Sequence, residues 1–338
     1  MNNLRRIYLD NAATSFPKPP SVHEAMLHYA TNIGASPGRG GYAETREAER
    51  LVKQARERIN RVLNGESAQH VVWTLNASDA LNLAIKGVAR HALKTRGAAH
   101  IVTTEMEHNS VLRPLHVLKE EGASVTYVRA DASGIVDPDD VLRAINKDTC
   151  LVAITHCSNV SGGVQPVEII GKTCREREVL FLVDAAQSLG HLPVDVQAMN
   201  IDLLAFPGHK GLLGPLGTGG LYLRPGTERV LDTLREGGTG SASEKAVQPD
   251  NLPDKYEPGS HNAMGIIGLS EGVKWVLSRG VETLRAHELP LIRKMLDAFA
   301  DAPDDLRLLG PTKAEQRTGV FSFVHRTIAP LCFAELLE

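Results

Sequence analysis

The chain has 338 residues, 42% of them hydrophobic and 23% charged, and a formal net charge of -3. That balance excludes a disordered or low-complexity chain and suits a large buried core in two domains. Basic residues are spread along the sequence, so no nucleic-acid surface or membrane-binding patch is expected.

No apolar run reaches the length of a membrane span, and the first residues lack a signal-peptide core. Cys150, Cys157, Cys174 and Cys332 stand far apart with no CxxC pair. Cys150 and Cys157 read as core residues of a buried strand, and Cys332 as a core or collapsed-tail residue. A soluble protein of the reducing cytoplasm fits this usage.

In chain order, Ala48, Leu51, Val52, Ala55, Ile59 and Val62 recur at helical spacing and predict an amphipathic helix over 44–63. Apolar runs predict strands at 71–75, 101–104, 125–129, 151–155, 179–183, 201–205 and 220–223. Helical patterns fall between them at 80–94, 110–121, 139–146 and 167–178. This alternation predicts an α/β fold with an open, mostly parallel, seven-stranded sheet. Glycines and prolines crowd 236–260, which reads as a loop between domains. Helices return at 263–278 and 281–300, followed by a strand pair at 306–309 and 320–324. The chain stops inside what reads as a new helix, so Val320, Phe321, Phe323 and Leu331 are expected to lie uncovered. The expected division is a large domain over 16–250 and a smaller, incomplete α/β domain made of 1–15 and 251–338.

In such a sheet, ligands gather at the carboxyl ends of the strands. There Asp184 closes one apolar run, and Lys210, in Phe206-Pro207-Gly208-His209-Lys210-Gly211, follows the next. An acid and an amine so placed suit pyridoxal 5′-phosphate, which needs an amine for a Schiff base and an acid for its ring nitrogen. Gln187, three residues after Asp184, points to the same side if the chain turns helically. Ser78, in Asn76-Ala77-Ser78-Asp79, opens a helix that is either simply capped there or seats a phosphate. His108 follows another strand, as a ring-stacking and proton-moving candidate or a structural histidine. Asn159 is a donor to a phenolate-type oxygen or an ordinary turn residue. His209 is a phosphate-ligand candidate beside Lys210. No Walker A loop or GxGxxG sequence is present. His23 and His28 are five apart, one too many for a helical zinc pair, and no metal is expected.

Six segments in order resemble the cysteine desulfurases of the class V aminotransferase fold. They are Tyr8-Leu9-Asp10-Asn11-Ala12-Ala13-Thr14, Glu107-His108-Asn109-Ser110, Ser158-Asn159-Val160-Ser161-Gly162, Val183-Asp184-Ala185-Ala186-Gln187, Gly208-His209-Lys210 and Glu257-Pro258-Gly259-Ser260-His261-Asn262. The resemblance implies a fold-type I, pyridoxal 5′-phosphate-dependent homodimer. Lys210 would carry the cofactor and then remove the substrate α-proton. His108 would stack on the ring, Asp184 would bind its nitrogen, and Gln187 and Asn159 would lie near its oxygen. Ala77, Ser78 and His209 would hold the phosphate, with Thr239 or Ser260 contributed across the dimer. Asn11 and Ala13 would line the substrate side. L-cysteine would yield alanine, its sulfur passing to an enzyme thiol as a persulfide and then to an acceptor protein.

Two departures accompany the resemblance. Pro207 stands where many relatives place a phosphate-binding Ser or Thr, and proline has neither hydroxyl nor N–H. The relatives' persulfide cysteine and carboxylate-binding arginine lie beyond the last matching segment, and neither Cys332 nor Arg317 or Arg326 matches them. Weak or absent desulfuration is therefore expected. Selenocysteine lysis, β-elimination, transamination and a non-catalytic role are the alternatives on the same scaffold.

Overall fold

The structure, a computed structural model, describes residues 7–38, 40–241 and 244–337. Near-continuous apolar runs form its central sheet, the pattern of strands buried on both faces. The strands are β1 (Val71–Thr74), β2 (His100–Thr104), β3 (Ser124–Val128), β4 (Thr149–Thr155), β5 (Leu180–Asp184), β6 (Leu203–Pro207) and β7 (Gly219–Leu223). Their order is β1-β7-β6-β5-β4-β2-β3. The pairs among β2 to β6 are parallel, and β7 runs antiparallel to both of its neighbours. The fold is α/β with a seven-stranded, mostly parallel sheet.

Helices α3 (Ala77–Arg96) and α4 (Asn109–Glu120) cover one face, where Leu81 and Leu115 pack with Leu151 and Leu203. Helices α2 (Ala43–Leu63), α5 (Pro138–Ala144), α6 (Val167–Glu176) and α7 (Ala263–Arg279) cover the other, around Ile59, Val141, Ile170, Phe181 and Leu269. The α2 helix follows its predicted span and ends at Asn64, which is left-handed at φ 50°. Helix α1 (Pro20–His28) was not among the predicted elements. It packs on α7 but buries only Val22, so it carries no apolar stripe to read.

Strand β6 lies two residues beyond its predicted span. Asp202 ends the preceding bend instead: its carboxylate accepts the Phe181 N–H at 2.8 Å and pairs with Arg224. Pro207 closes the strand, a position where a missing N–H is tolerated.

Helix α8 (Val281–Ala300) leads to an antiparallel pair, β8 (Leu306–Leu309) and β9 (Ser322–His325), and to α9 (Pro330–Leu337). Phe299 packs on Phe321 and Phe323, and Phe333 packs edge-on to Phe323. Val320, Phe321 and Phe323 are therefore half-buried, whereas Leu331 is 81% exposed. Of the two expectations for Cys332, a core or a collapsed-tail residue, the first does not hold: Cys332 is exposed because α9 turns Phe333 inward.

A buried ion pair ties the end of the Gly- and Pro-rich stretch to the sheet. Arg56 Nη1 and Nη2 donate to the two oxygens of Glu257 at 2.7 and 3.0 Å, and the Trp73 N–H of β1 donates to Oε1 at 2.6 Å. Removing one partner strands a buried charge. Glu257→Ala is expected to cost about 3–5 kcal/mol in urea unfolding; an unchanged midpoint would show the pair to be dispensable.

Candidate active site

The carboxyl ends of β2, β4, β5 and β6 open onto one cleft, closed on a further side by the start of α3. His108 and Ser110 reach it from β2, Asn159 from β4, Asp184 and Gln187 from β5, and Pro207, His209 and Lys210 from β6. Asn76, Ala77 and Ser78 complete its wall. Residues up to 134 positions apart in sequence meet here because strands of one sheet bring them to the same side.

Asp184 is the last residue of β5 and is buried. Burial pushes its carboxyl above the usual carboxylate range. The Ala186 N–H, donating to Oδ1 at 2.9 Å, and the charge of Lys210 pull it back. Burial lowers the Lys210 ammonium, and Asp184 opposes that shift. Each thus feels the other's charge across the cleft. Gly208 and Gly211 flank the His209–Lys210 pair in close quarters: a Cβ on Gly211 would lie 2.4 Å from the Leu189 carbonyl oxygen.

His108 is the N-cap of α4, and its Nδ1 accepts the Ser110 N–H at 3.1 Å. Nε2 then carries the ring proton. Ser110 Oγ also lies 2.6 Å from Ser78 Oγ, linking the starts of α4 and α3. Ser110 was not among the predicted site residues, although it stands two places after His108.

Asn76 caps α3, its Oδ1 accepting the Asp79 N–H at 2.9 Å. The N–H groups of Ala77 and Ser78 have no intrahelical acceptors, which makes this terminus a fitting seat for an anion. Asp79 is turned away, its carboxylate accepting from the Leu75 N–H and Arg235. His209 Nδ1 is buried without a partner. Burial, with Lys210 and Lys18 nearby, holds that imidazole down at about 4, so it faces the cleft as a neutral ring.

The N-terminal segment closes over the Lys210 loop. The His209 carbonyl oxygen accepts from the Ser15 N–H, the hydroxyls of Thr14 and Ser15, and Lys18 Nζ. Gln187 Nε2 donates to the Ala12 carbonyl oxygen at 3.0 Å. Asn11 does not line the cleft; its Oδ1 accepts the Phe16 N–H at 3.0 Å. Ala13 is exposed and also outside the lining. Thr239 and Ser260 stand outside this chain's own cleft, on two segments joined by the Gly259 N–H to Gly238 O bond at 2.8 Å. Cys157 lines the cleft but is a buried thiol pushed up to about 11. Among the described residues no helix is long and apolar enough to cross a membrane, and no His, Cys, Asp and Glu group could hold a metal ion.

The model of the family Aminotransferase class-V matches residues 7–338. The chain belongs to that family. A probable cysteine desulfurase of Methanothermobacter thermautotrophicus is 36% identical over 334 residues, covering 98% of this chain and 81% of that protein. Cysteine desulfurase IscS of Dictyoglomus turgidum is 34% identical over 90% of this chain and 74% of its own. The apo structure of the cysteine desulfurase from Thermococcus onnurineus NA1 superposes with a TM-score of 0.87 at 31% identity, over 98% of this chain and 82% of that one. A solved structure of SspA in complex with cysteine gives 0.71 at 34% identity, over 80% and 72%. These similarities place the chain among the pyridoxal 5′-phosphate-dependent enzymes of the cysteine desulfurase family and support a desulfurase-like function.

The cleft fits that group on its own chemistry. It offers an amine, a buried acid across from it, an imidazole at the start of α4 and a helix N-terminus with open N–H groups.

Proposed function

We propose that this chain binds pyridoxal 5′-phosphate and acts on L-cysteine, passing its sulfur to a thiol as a persulfide and leaving alanine. The observation that carries this reading is the pairing of Lys210 and Asp184 in one cleft beneath the α3 terminus. The bound group would supply an electron sink for the bond-breaking at the substrate α-carbon. Lys210 Nζ would hold the group covalently and, once freed, take the α-proton. Asp184 would hold the ring N–H by a charge-assisted hydrogen bond, the cation opposite it restoring its ionised form. His108 would cover the ring with Nε2–H available to move a proton. Asn159 and Gln187 would face the ring oxygen. Ala77, Ser78 and neutral His209 would donate to the phosphate; Pro207 offers it nothing.

The reading extends to a second copy of the chain and a sulfur-accepting protein as partners. Thr239 or Ser260, both outside their own cleft, would reach the phosphate of the neighbouring copy. Solved SspA with cysteine supports the choice of substrate.

The state of Cys157 favours a second reading. The thiol that lines the cleft is protonated at neutral pH and donates to the Gly162 carbonyl oxygen at 3.2 Å, so it is no nucleophile. Direct β-elimination needs no enzyme thiol. Incubation of the cofactor-loaded chain with L-cysteine and a free thiol separates the two: alanine with sulfide in equal amounts is the expected result, pyruvate with sulfide would establish elimination, and neither product would contradict both.

A further inference from the structure

One buried acid beside the cleft has no part in the chemistry above. Glu107 directly precedes His108 and is 7% exposed. Its Oε1 accepts the Thr104 hydroxyl at 2.7 Å and the Thr155 N–H at 3.0 Å. Thr104 ends β2, and Thr155 ends β4 directly beside Asp184 in the sheet register. The next residue, His156, donates its N–H to the Asp184 carbonyl oxygen at 2.9 Å. Glu107 therefore joins the turn that carries His108 to the strand that adjoins Asp184.

Its other oxygen, Oε2, is buried without a hydrogen-bond partner, and no ion pair reaches Glu107 among the described residues. A carboxylate so placed would be a buried charge with no compensating cation. Asp184 is the charged group that acts on it, and with the same sign; Lys210 and His108 act on Asp184. The neighbouring imidazole, His156, is buried and neutral, held down at about 4.

We propose that Glu107 is a positioning residue that remains a neutral carboxylic acid, bracing β2 against β4 and leaving Asp184 the sole ionised carboxylate behind the cofactor ring. The part that concerns the ring rests on the function proposed above. Were Glu107 ionised, two buried like charges would face each other, and Asp184 would take up a proton instead of pairing with the ring N–H. Glutamine keeps the Oε1 acceptor and cannot ionise; alanine removes the brace.

Burial holds the Glu107 carboxyl up at about 8, from an ordinary value of 4.5. Between those values the folded chain keeps a proton that the unfolded chain has released, so this group's contribution to stability is lost as pH rises from about 4.5 to about 8.

The test compares wild type, Glu107→Gln and Glu107→Ala by three readouts. Difference infrared spectra at pH 7 are expected to show a carboxylic-acid C=O band in wild type that Glu107→Gln lacks. The urea midpoint of Glu107→Gln is expected to fall less steeply than that of wild type across the same pH range. With pyridoxal 5′-phosphate added, Glu107→Gln should keep the wild-type absorption band, and Glu107→Ala should bind about tenfold more weakly. Cofactor absorption in a wild type that lacks the acid band, or parallel pH profiles for wild type and Glu107→Gln, would overturn the proposal alone. The acid band in a chain that never acquires cofactor absorption would overturn the proposed function, and with it the ring-site role of Glu107.

Discussion

Lys210→Ala is expected to abolish the absorption band that pyridoxal 5′-phosphate acquires on the wild-type chain, and to lower turnover by at least about a thousandfold. The loss comes from chemistry rather than folding. The Lys210 ammonium makes no hydrogen bond or ion pair among the described residues, so its removal breaks no hydrogen bond; Asp184, losing the opposing charge, holds its proton more firmly. The urea midpoint should move by less than about 1 kcal/mol of stability. Lys210→Arg keeps the cation that Asp184 feels but cannot make the covalent bond, and it should lose the band as completely. Burial lowers the ammonium, so more of the attacking amine is present near neutral pH than on a solvated lysine. A band that survives in Lys210→Ala would place the attachment elsewhere.

Asp184→Asn is expected to separate activity from stability in the opposite directions. The asparagine oxygen still accepts the Ala186 N–H, but the charge that would hold the ring nitrogen's proton in the proposed function is gone. A hydrogen bond to a charged group contributes about 1.5–3 kcal/mol, so turnover should fall about 10- to 150-fold. Stability of the cofactor-free chain should hold or rise by about 1 kcal/mol, because the wild-type fold keeps that carboxyl buried, its proton affinity raised by desolvation. Turnover and unfolding midpoints, measured on the same preparations, check both halves. A large loss of stability would make Asp184 a structural residue.

The interior of the fold was legible because parallel strands buried on both faces leave continuous apolar runs. The run around Phe181–Val183 shows why Asp184 could be read at its tip: a carboxylate ends three buried apolar positions. The strand at 203–207 was misplaced because Ile201 is buried like a strand residue while Asp202 bends the chain. Helix α1 was missed because its contact with α7 is tertiary and its own sequence shows no stripe. Lys210, Asp184, His108 and Ser78 could be singled out because each follows an apolar run at a predicted sheet edge. The pairing of Glu107 with Thr155, and the four donors converging on the His209 carbonyl, depend on which strands are neighbours, and no local pattern carries that information. Cys332 was misread for the same reason: whether it or Phe333 turns inward depends on the aromatic surface that β9 presents.

In the proposed function one amine, opposite one buried acid, carries the cofactor. Loading the purified chain with pyridoxal 5′-phosphate, reducing it with borohydride and mapping the modified peptide by mass spectrometry tests that claim most directly. A single modified lysine, Lys210, is expected. Modification at Lys18, whose ammonium reaches the same loop, or no stable modification at all, would contradict it.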